Sequence, residues 1–286
     1  MKAKKFVGLL LVLTLFTASF AYADSFKVVS LGNDLTQAQR EAMLEQFGVQ
    51  EGEAQIVIVT NEEEKQYLEG IAPASKIGSR AISCAYVEPL DEGSGLQVST
   101  SNLTWATKEM IASAMTTAGI KDAKVIASAP FPVSGTAALT GIMKGFEKAT
   151  GQKLDVDAKD AANREMITTG ELGEKIGQEN AIQFMNEVKK EVVQKKAKSP
   201  DDIRSIIEKV AKHYDIQLSE EQIQKIIDVM NRISKLDLNI KEISNQLKDI
   251  SGKLSEVLAQ GAETRSILDK IVAMLESILA RIKNWL

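Results

Sequence analysis

The feature that most constrains the fold is an alternation. Between residue 24 and about residue 195, short β-rich runs take turns with helix-length segments. Phe26–Ser30 reads as a strand. Thr36 with Gln39 forms a capping box that opens a helix to about Phe47, closed by Gly48. Gln55–Thr60 is nearly continuous apolar sequence, as in a strand buried on both faces. Asn61 with Glu64 is expected to cap the next helix, which ends at Gly70. Ala81–Glu88 and Leu96–Thr100 read as two strands, and the turn chemistry of Pro89–Gly95 predicts a hairpin between them. Thr104 to about Ala118, Ala123–Ala127 and Thr136–Thr150 continue as helix, strand and helix. Strands alternating with helices of this length imply an α/β fold with a mixed sheet. Gly170, Gly173 and Gly177 make the helices over 157–196 harder to place.

From about residue 199 the pattern is helical throughout. The lysines of 195–198 suit a helix C-terminus, and Ser199-Pro200 supplies a cap and an N1 proline. The expected units are a leader at 1–23, an α/β domain at 24–198 and an all-α region at 199–286. Leu236, Ile240, Ile243, Leu247, Ile250, Leu254 and Val257 keep a 4-3-4-3 spacing, which is an a/d seam. Gly261 interrupts it, and a wider stripe resumes from Leu268 to Leu286. A C-terminal helical hairpin or coiled coil, intramolecular or between copies, is the expectation. Trp285, Arg281 and Lys283 also mark Ile278–Leu286 as an amphipathic candidate for peripheral membrane contact.

Residues 1–23 read as a secretory leader. Lys2, Lys4 and Lys5 precede an apolar run, and Ala21-Tyr22-Ala23 offers a cleavage pattern. The expected location is therefore outside the membrane, in the envelope or the medium. The chain holds 35 basic and 39 acidic side chains. The leader takes three lysines and no acid, so the mature chain is mildly acidic and lacks the basic stripe that nucleic-acid binding needs. Aromatics are only 5% of the chain and Cys84 is its one cysteine. Aliphatic packing, without a disulfide, must supply the stability.

The same scarcity narrows the chemistry. With one histidine, His213, and one cysteine, a zinc site or a His-assisted nucleophile lacks its usual parts. No metal and no cofactor are expected. His213 is read as a helix-surface residue and Cys84 as a small buried hydrophobe. Two strand-to-helix loops remain as candidate ligand sites: Gly32, Asn33 and Asp34 in one, Ser134, Gly135 and Thr136 in the other. Each offers small polar groups and free N–H groups at a helix start. If their strands run parallel, both loops open on the carboxyl edge of the sheet, where α/β proteins bind ligands. Neither loop has phosphate-loop spacing. Ser101–Thr104 is read as a third junction, with a capping role.

Four motifs are distinctive: Ser30–Thr36 with Gln39-Arg40, Asn102–Lys108, Thr117-Ala118-Gly119-Ile120, and Ala129-Pro130-Phe131-Pro132-Val133-Ser134-Gly135-Thr136-Ala137-Ala138-Leu139-Thr140-Gly141. Together they resemble domain-of-unknown-function family 1002, over about residues 24–260. The resemblance implies export from a Gram-positive cell and brings no catalytic residues.

The reading that follows is an exported, non-enzymatic binding or interaction protein. Its α/β body takes a ligand or a protein or envelope partner, and its C-terminal helices serve assembly or docking, including self-association through Leu236–Val257. The alternatives are a carboxylate-dependent wall or carbohydrate hydrolase, which needs two acids about 5–9.5 Å apart, and a peripheral membrane binder acting through the last helix.

Overall fold

The computed structural model describes residues 27–50, 52–250 and 252. The leader, the Gly261 break and the stripe from Leu268 onward lie outside those residues. Five strands form one sheet: β1 (Val28–Gly32), β2 (Gln55–Val59), β3 (Cys84–Pro89), β4 (Leu96–Leu103) and β5 (Ala123–Val133), in the order β2-β1-β3-β5-β4. β1 and β2 pair in parallel, as do β4 and β5, and β3 runs antiparallel to both β1 and β5. The α/β expectation with a mixed sheet is therefore met.

The hairpin is not. β3 and β4 are separated by β5, which pairs with each of them. Helix α4 (Lys108–Thr117) carries the chain from β4 to β5, so the parallel β4-α4-β5 unit takes precedence over the turn at Pro89–Gly95. β5 also runs to Val133, through Pro130 and Pro132. Its pairing with β3 ends at Ser128, and its pairing with β4 shifts register between Ser101 and Leu103. Prolines are tolerated where no ladder hydrogen bond is required. Asn102 sits in that irregular stretch with φ 56° and donates from Nδ2 to Ala129 O at 2.8 Å. It is not a helix cap; Thr107 caps α4 by accepting from Met110 N. Likewise the capping box of α2 (Asn61–Leu68) belongs to Thr60 and Glu63, one residue earlier than expected.

Helix α1 (Gln37–Gln46), with the Thr36–Gln39 capping box, covers one face of the sheet. Met43 and Phe47 pack there against Val29, Leu31, Cys84 and Tyr86. The other face carries α2, α4 and α5 (Thr136–Thr150) over Ala85, Val87, Val125 and Ala127. Alternate residues of β3 thus serve opposite cores, as the two-residue period of a strand requires. Gly141 and Gly145 of α5 let its backbone approach Ser30 and Val87, with no room for a methyl at Gly141.

Outside that layer lie α6 (Val156–Ile176), α7 (Gln178–Lys195), α8 (Pro200–His213) and α9 (Glu220–Ile233). Gly177 divides the run as expected, ending α6 and opening α7 with φ +90°, but Gly170 and Gly173 do not interrupt α6. Gly170 faces the Trp105 indole and Gly173 faces Gln178, both too close for a Cβ, so each is a packing glycine. Phe184, Val188 and Val192 of α7 share one apolar cluster with Ile203 and Ile207 of α8 and with Ile226 and Met230 of α9. That cluster spans both sides of residue 198.

Residues 240–250 are helical. Ile243, Leu247 and Ile250, three of the seam positions, are buried against Ala112 of α4 and Leu96 and Val98 of β4. Gln246 Nε2 donates to Lys121 O at 3.1 Å, and Lys121 pairs with Glu242. This part of the seam packs on its own chain. Leu254 and Val257 lie outside the described residues. No helix among the described residues is long and apolar enough to cross a membrane.

Candidate ligand site

β1 and β5 both run antiparallel to β3, so the loops after them open at the same end of the sheet. The structure brings the two candidate loops to one edge, on either side of the segment that leads into β3. That segment includes the short helix α3 (Ala74–Ile77). Both loops grip it.

On the first side, Ala81 N donates to Asp34 Oδ2 at 2.7 Å, and Asp34 N donates to Ala81 O at 3.2 Å. Asn33 N donates to Val59 O at 2.8 Å, and Arg40 donates to Asn33 O at 2.8 Å. Gly32 lies so close to the Ala81 carbonyl that a Cβ would collide with backbone. On the second side, Ser134 Oγ donates to Lys76 O at 2.7 Å. Thr136 Oγ1 lies 2.6 Å from Glu64 Oε1 and 3.0 Å from Lys76 O. Gly135, with φ +92°, turns the chain into α5 in a conformation that favours glycine.

Glu64, which the sequence marks only as an expected cap partner, is the most perturbed acid at this edge. It is 1% exposed. Burial pushes its carboxyl up to about 7, against the opposing bonds from Thr136 and Asn61. In its neutral form the carboxyl donates to Thr136 Oγ1, and the Thr136 hydrogen turns to Lys76 O. Every polar group of the cluster is then satisfied, which is what a buried network requires. A signal existed in the sequence: Glu64 and Leu68, four apart, share the inward face of α2.

Gly70, Ile71 and Pro73, just ahead of the anchored residues, line one side of a groove. Lys76 pairs with Glu174 of α6, and its ammonium stands 5.5 Å from the centre of the Trp105 ring. Two depressions of about 570 and 430 Å³ lie along α6 and α9 beside Pro73 and Gly70, and they share Thr168, Glu171, Glu221 and Lys225. The floor is apolar, with Leu172, Ile176 and Ile226, and the rim is charged. Lys225 of α9 ties that helix to α6, donating to Glu171 of α6 at 3.0 Å and pairing with Glu221 of its own helix at 3.3 Å.

A second polar cluster lies wholly inside the helices. Lys189 Nζ of α7 donates to Glu165 Oε1 at 2.7 Å, with Ser113 O at 2.9 Å, Ser113 Oγ at 2.8 Å and Thr117 Oγ1 at 3.1 Å around it. Ser113 and Thr117 of α4 both donate to the Glu165 carboxylate of α6. A serine and a lysine within hydrogen-bonding distance are the parts of a nucleophile and its base. Sequence spacing missed them because they are 76 residues apart. Here they are enclosed: Lys189 is 0% and Glu165 1% exposed. Burial pulls the Lys189 ammonium below its ordinary value while Glu165 resists. The cluster ties α4, α6 and α7 together as a buried ion pair.

Cys84 is buried, and burial pushes its thiol up to about 11, so it is a poor nucleophile. His213 ends α8 at the surface, edge-on to Tyr214. Among the described residues, no three His, Cys, Asp or Glu side chains gather as a metal-binding group.

The family model described as "Protein of unknown function (DUF1002)" matches residues 31–250. The chain belongs to the DUF1002 family. The matched span runs from β1 into the helical run at 240–250, so it includes both candidate loops, the groove and the buried ion pair. The resemblance carried by the Ser30–Thr36 and Ala129–Gly141 motifs is thereby borne out. A curated relative, "Uncharacterized protein YpuA" of Bacillus subtilis (strain 168), is 35% identical over 283 residues, 96% of each chain. No solved structure matches the DUF1002 chain.

Proposed function

We propose that this DUF1002 chain is an exported, non-enzymatic binding protein of the cell envelope, and that its partner lies in the groove between the 70–73 segment, α6 and α9. The observation that carries this reading is the continuity of the two depressions through Thr168, Glu171, Glu221 and Lys225. An apolar floor with charged rims is the usual make-up of a binding groove. In this reading Gly32, Asn33, Asp34, Ser134, Gly135 and Thr136 are the ligand site's supports. They fix the segment that follows its wall rather than touch the partner. Residues beyond 252 are the part left for assembly or docking, since Ile243, Leu247 and Ile250 are already spent on α4 and β4.

The test uses the secreted protein and isolated Gram-positive cell walls. Export predicts a mature N-terminus at Asp24 by mass spectrometry. Wild type is expected to sediment with the walls and release no fragments. Thr168→Trp, which plugs the shared middle of the groove, is expected to weaken the association at least tenfold, about 1.4 kcal/mol. Light scattering of the same sample reads assembly. An unprocessed leader would remove the export part, a monomer would remove the self-association part, and fragment release lost on changing a carboxylate would replace binding by hydrolysis. Full retention of wall binding by Thr168→Trp would move the partner elsewhere.

A further inference from the structure

A smaller cavity of about 220 Å³ lies on the other side of α6, enclosed by α2, α5 and the first turns of α6. We propose that it binds a small carboxylate carrying an amine or a hydroxyl on the neighbouring carbon.

Two observations bear on the ligand. The first is a pair of orphaned polar atoms in the cavity wall. Thr140 Oγ1 and Asn163 Oδ1 have no hydrogen-bond partner among the described residues, and the two side chains are 4% and 1% exposed. Asn163 cannot be relieved by turning its amide over, because Nδ2 already donates to Lys159 O at 3.0 Å. Native structures rarely leave such atoms empty-handed, and each one asks for a partner. What Asn163 Oδ1 lacks is a donor, and the Thr140 hydroxyl takes either role.

The second is the charge around them. Lys144, Lys153 and Lys159 face the cavity with Glu63 and Glu147, an excess of one cation. Both carboxylates are already paired with lysines, Glu147 with Lys153 at 3.8 Å as well as with Lys159. Glu63 accepts from Thr60 N at 3.0 Å and from Lys144. Glu147 accepts from Lys159 at 3.0 Å and from Leu154 N at 2.9 Å. The ammonium groups are not used up: Lys144 spends two of its hydrogens, on Glu63 and on Ile58 O at 2.7 Å, and Lys159 spends one on Glu147. Spare cationic donors call for an anion, and the orphaned acceptor beside them calls for a donor on the same ligand. A carboxylate with an adjacent amine or hydroxyl supplies both. The volume holds about seven water-sized groups, which limits the ligand to a compact amino or hydroxy acid.

The experiment is calorimetric titration of the mature protein with L-alanine, D-alanine, L-lactate, propionate and inorganic phosphate, backed by thermal melts. Saturable binding of either alanine or of lactate is expected, with a rise in Tm of about 2–4 °C or more at saturation. Alanine against lactate identifies the donor. Propionate, which has the carboxylate and no donor, is expected to bind at least tenfold more weakly. Asn163→Leu removes the orphan, so its melting temperature is expected to match or exceed wild type while the preference over propionate disappears. Lys153→Ala, at an exposed position with no core role, is expected to weaken every carboxylate and guards against an Asn163 variant that fails to fold. Absence of saturable binding up to about 10 mM, well beyond the millimolar range of weak affinities, would overturn the proposal. So would a preference for phosphate, or a selectivity that neither variant changes.

Discussion

Replacing Lys189 by methionine is expected to lower the folding free energy by about 3–5 kcal/mol, the range for stripping one partner from a buried ion pair. The side chain is 0% exposed and stands 2.7 Å from Glu165. Methionine matches its length, so the loss is electrostatic rather than steric. Glu165 would remain in the same helix interface, held only by the hydroxyls of Ser113 and Thr117. The double variant Lys189→Met with Glu165→Gln removes both charges and is expected to recover most of the loss, because a neutral amide still accepts from those hydroxyls. Urea denaturation of wild type, both single variants and the double variant closes the cycle and isolates the coupling. A Lys189→Met penalty below about 1 kcal/mol, the scale of an exposed pair, would show that water reaches the cluster and that it is not the enclosed tie between α4, α6 and α7.

The second large effect is a pH dependence centred on Glu64. Its folded carboxyl is raised to about 7 from an ordinary value of 4.5, chiefly by burial. Between those two values the folded chain holds a proton that the unfolded chain has released. The stabilising contribution is therefore complete below about pH 4.5 and is lost as the pH rises through about 7. At 1.36 kcal/mol for each pH unit of separation, the loss amounts to about 3 kcal/mol. Glu64→Gln imitates the neutral acid at every pH and keeps an acceptor and a donor for Thr136 and Asn61. It is expected to match wild type near pH 4.5 and to exceed it by about 3 kcal/mol at pH 8. Parallel denaturation curves at the two pH values measure the difference directly. If wild type and Glu64→Gln lose stability equally between them, the proton does not sit on Glu64. Thr136 and Ser134 also hold the Lys76 carbonyl, three residues from Pro73 of the groove.

Much of the local structure was legible from residues alone. The Thr36–Gln39 capping box and the Ser199-Pro200 helix start are written in nearest neighbours, where a hydroxyl finds an N–H three residues away whatever the rest of the chain does. The buried position of Cys84 and the surface position of His213 follow from burial preference and helix position. The α/β class followed from the alternation of periods. The two candidate loops followed from the strand-to-helix junctions, and the parallel strands do set them on one edge.

What only the tertiary structure decided depends on pairs of groups far apart in the chain. Strand order is one case: the Pro89–Gly95 turn looks like a hairpin, but β5 pairs between the two strands because the hydrogen bonds of a sheet are satisfied globally, not between neighbours. The glycines of α6 are another, read as breaks because nothing nearby revealed that Trp105 would press against Gly170. The Lys189–Glu165 pair, the orphaned Asn163 and the raised Glu64 carboxyl are the rest. A charge or an amide has no distinctive chemistry until the fold removes its water and chooses its partners, so the amino-acid sequence determined which elements form, and packing alone determined which polar groups matter.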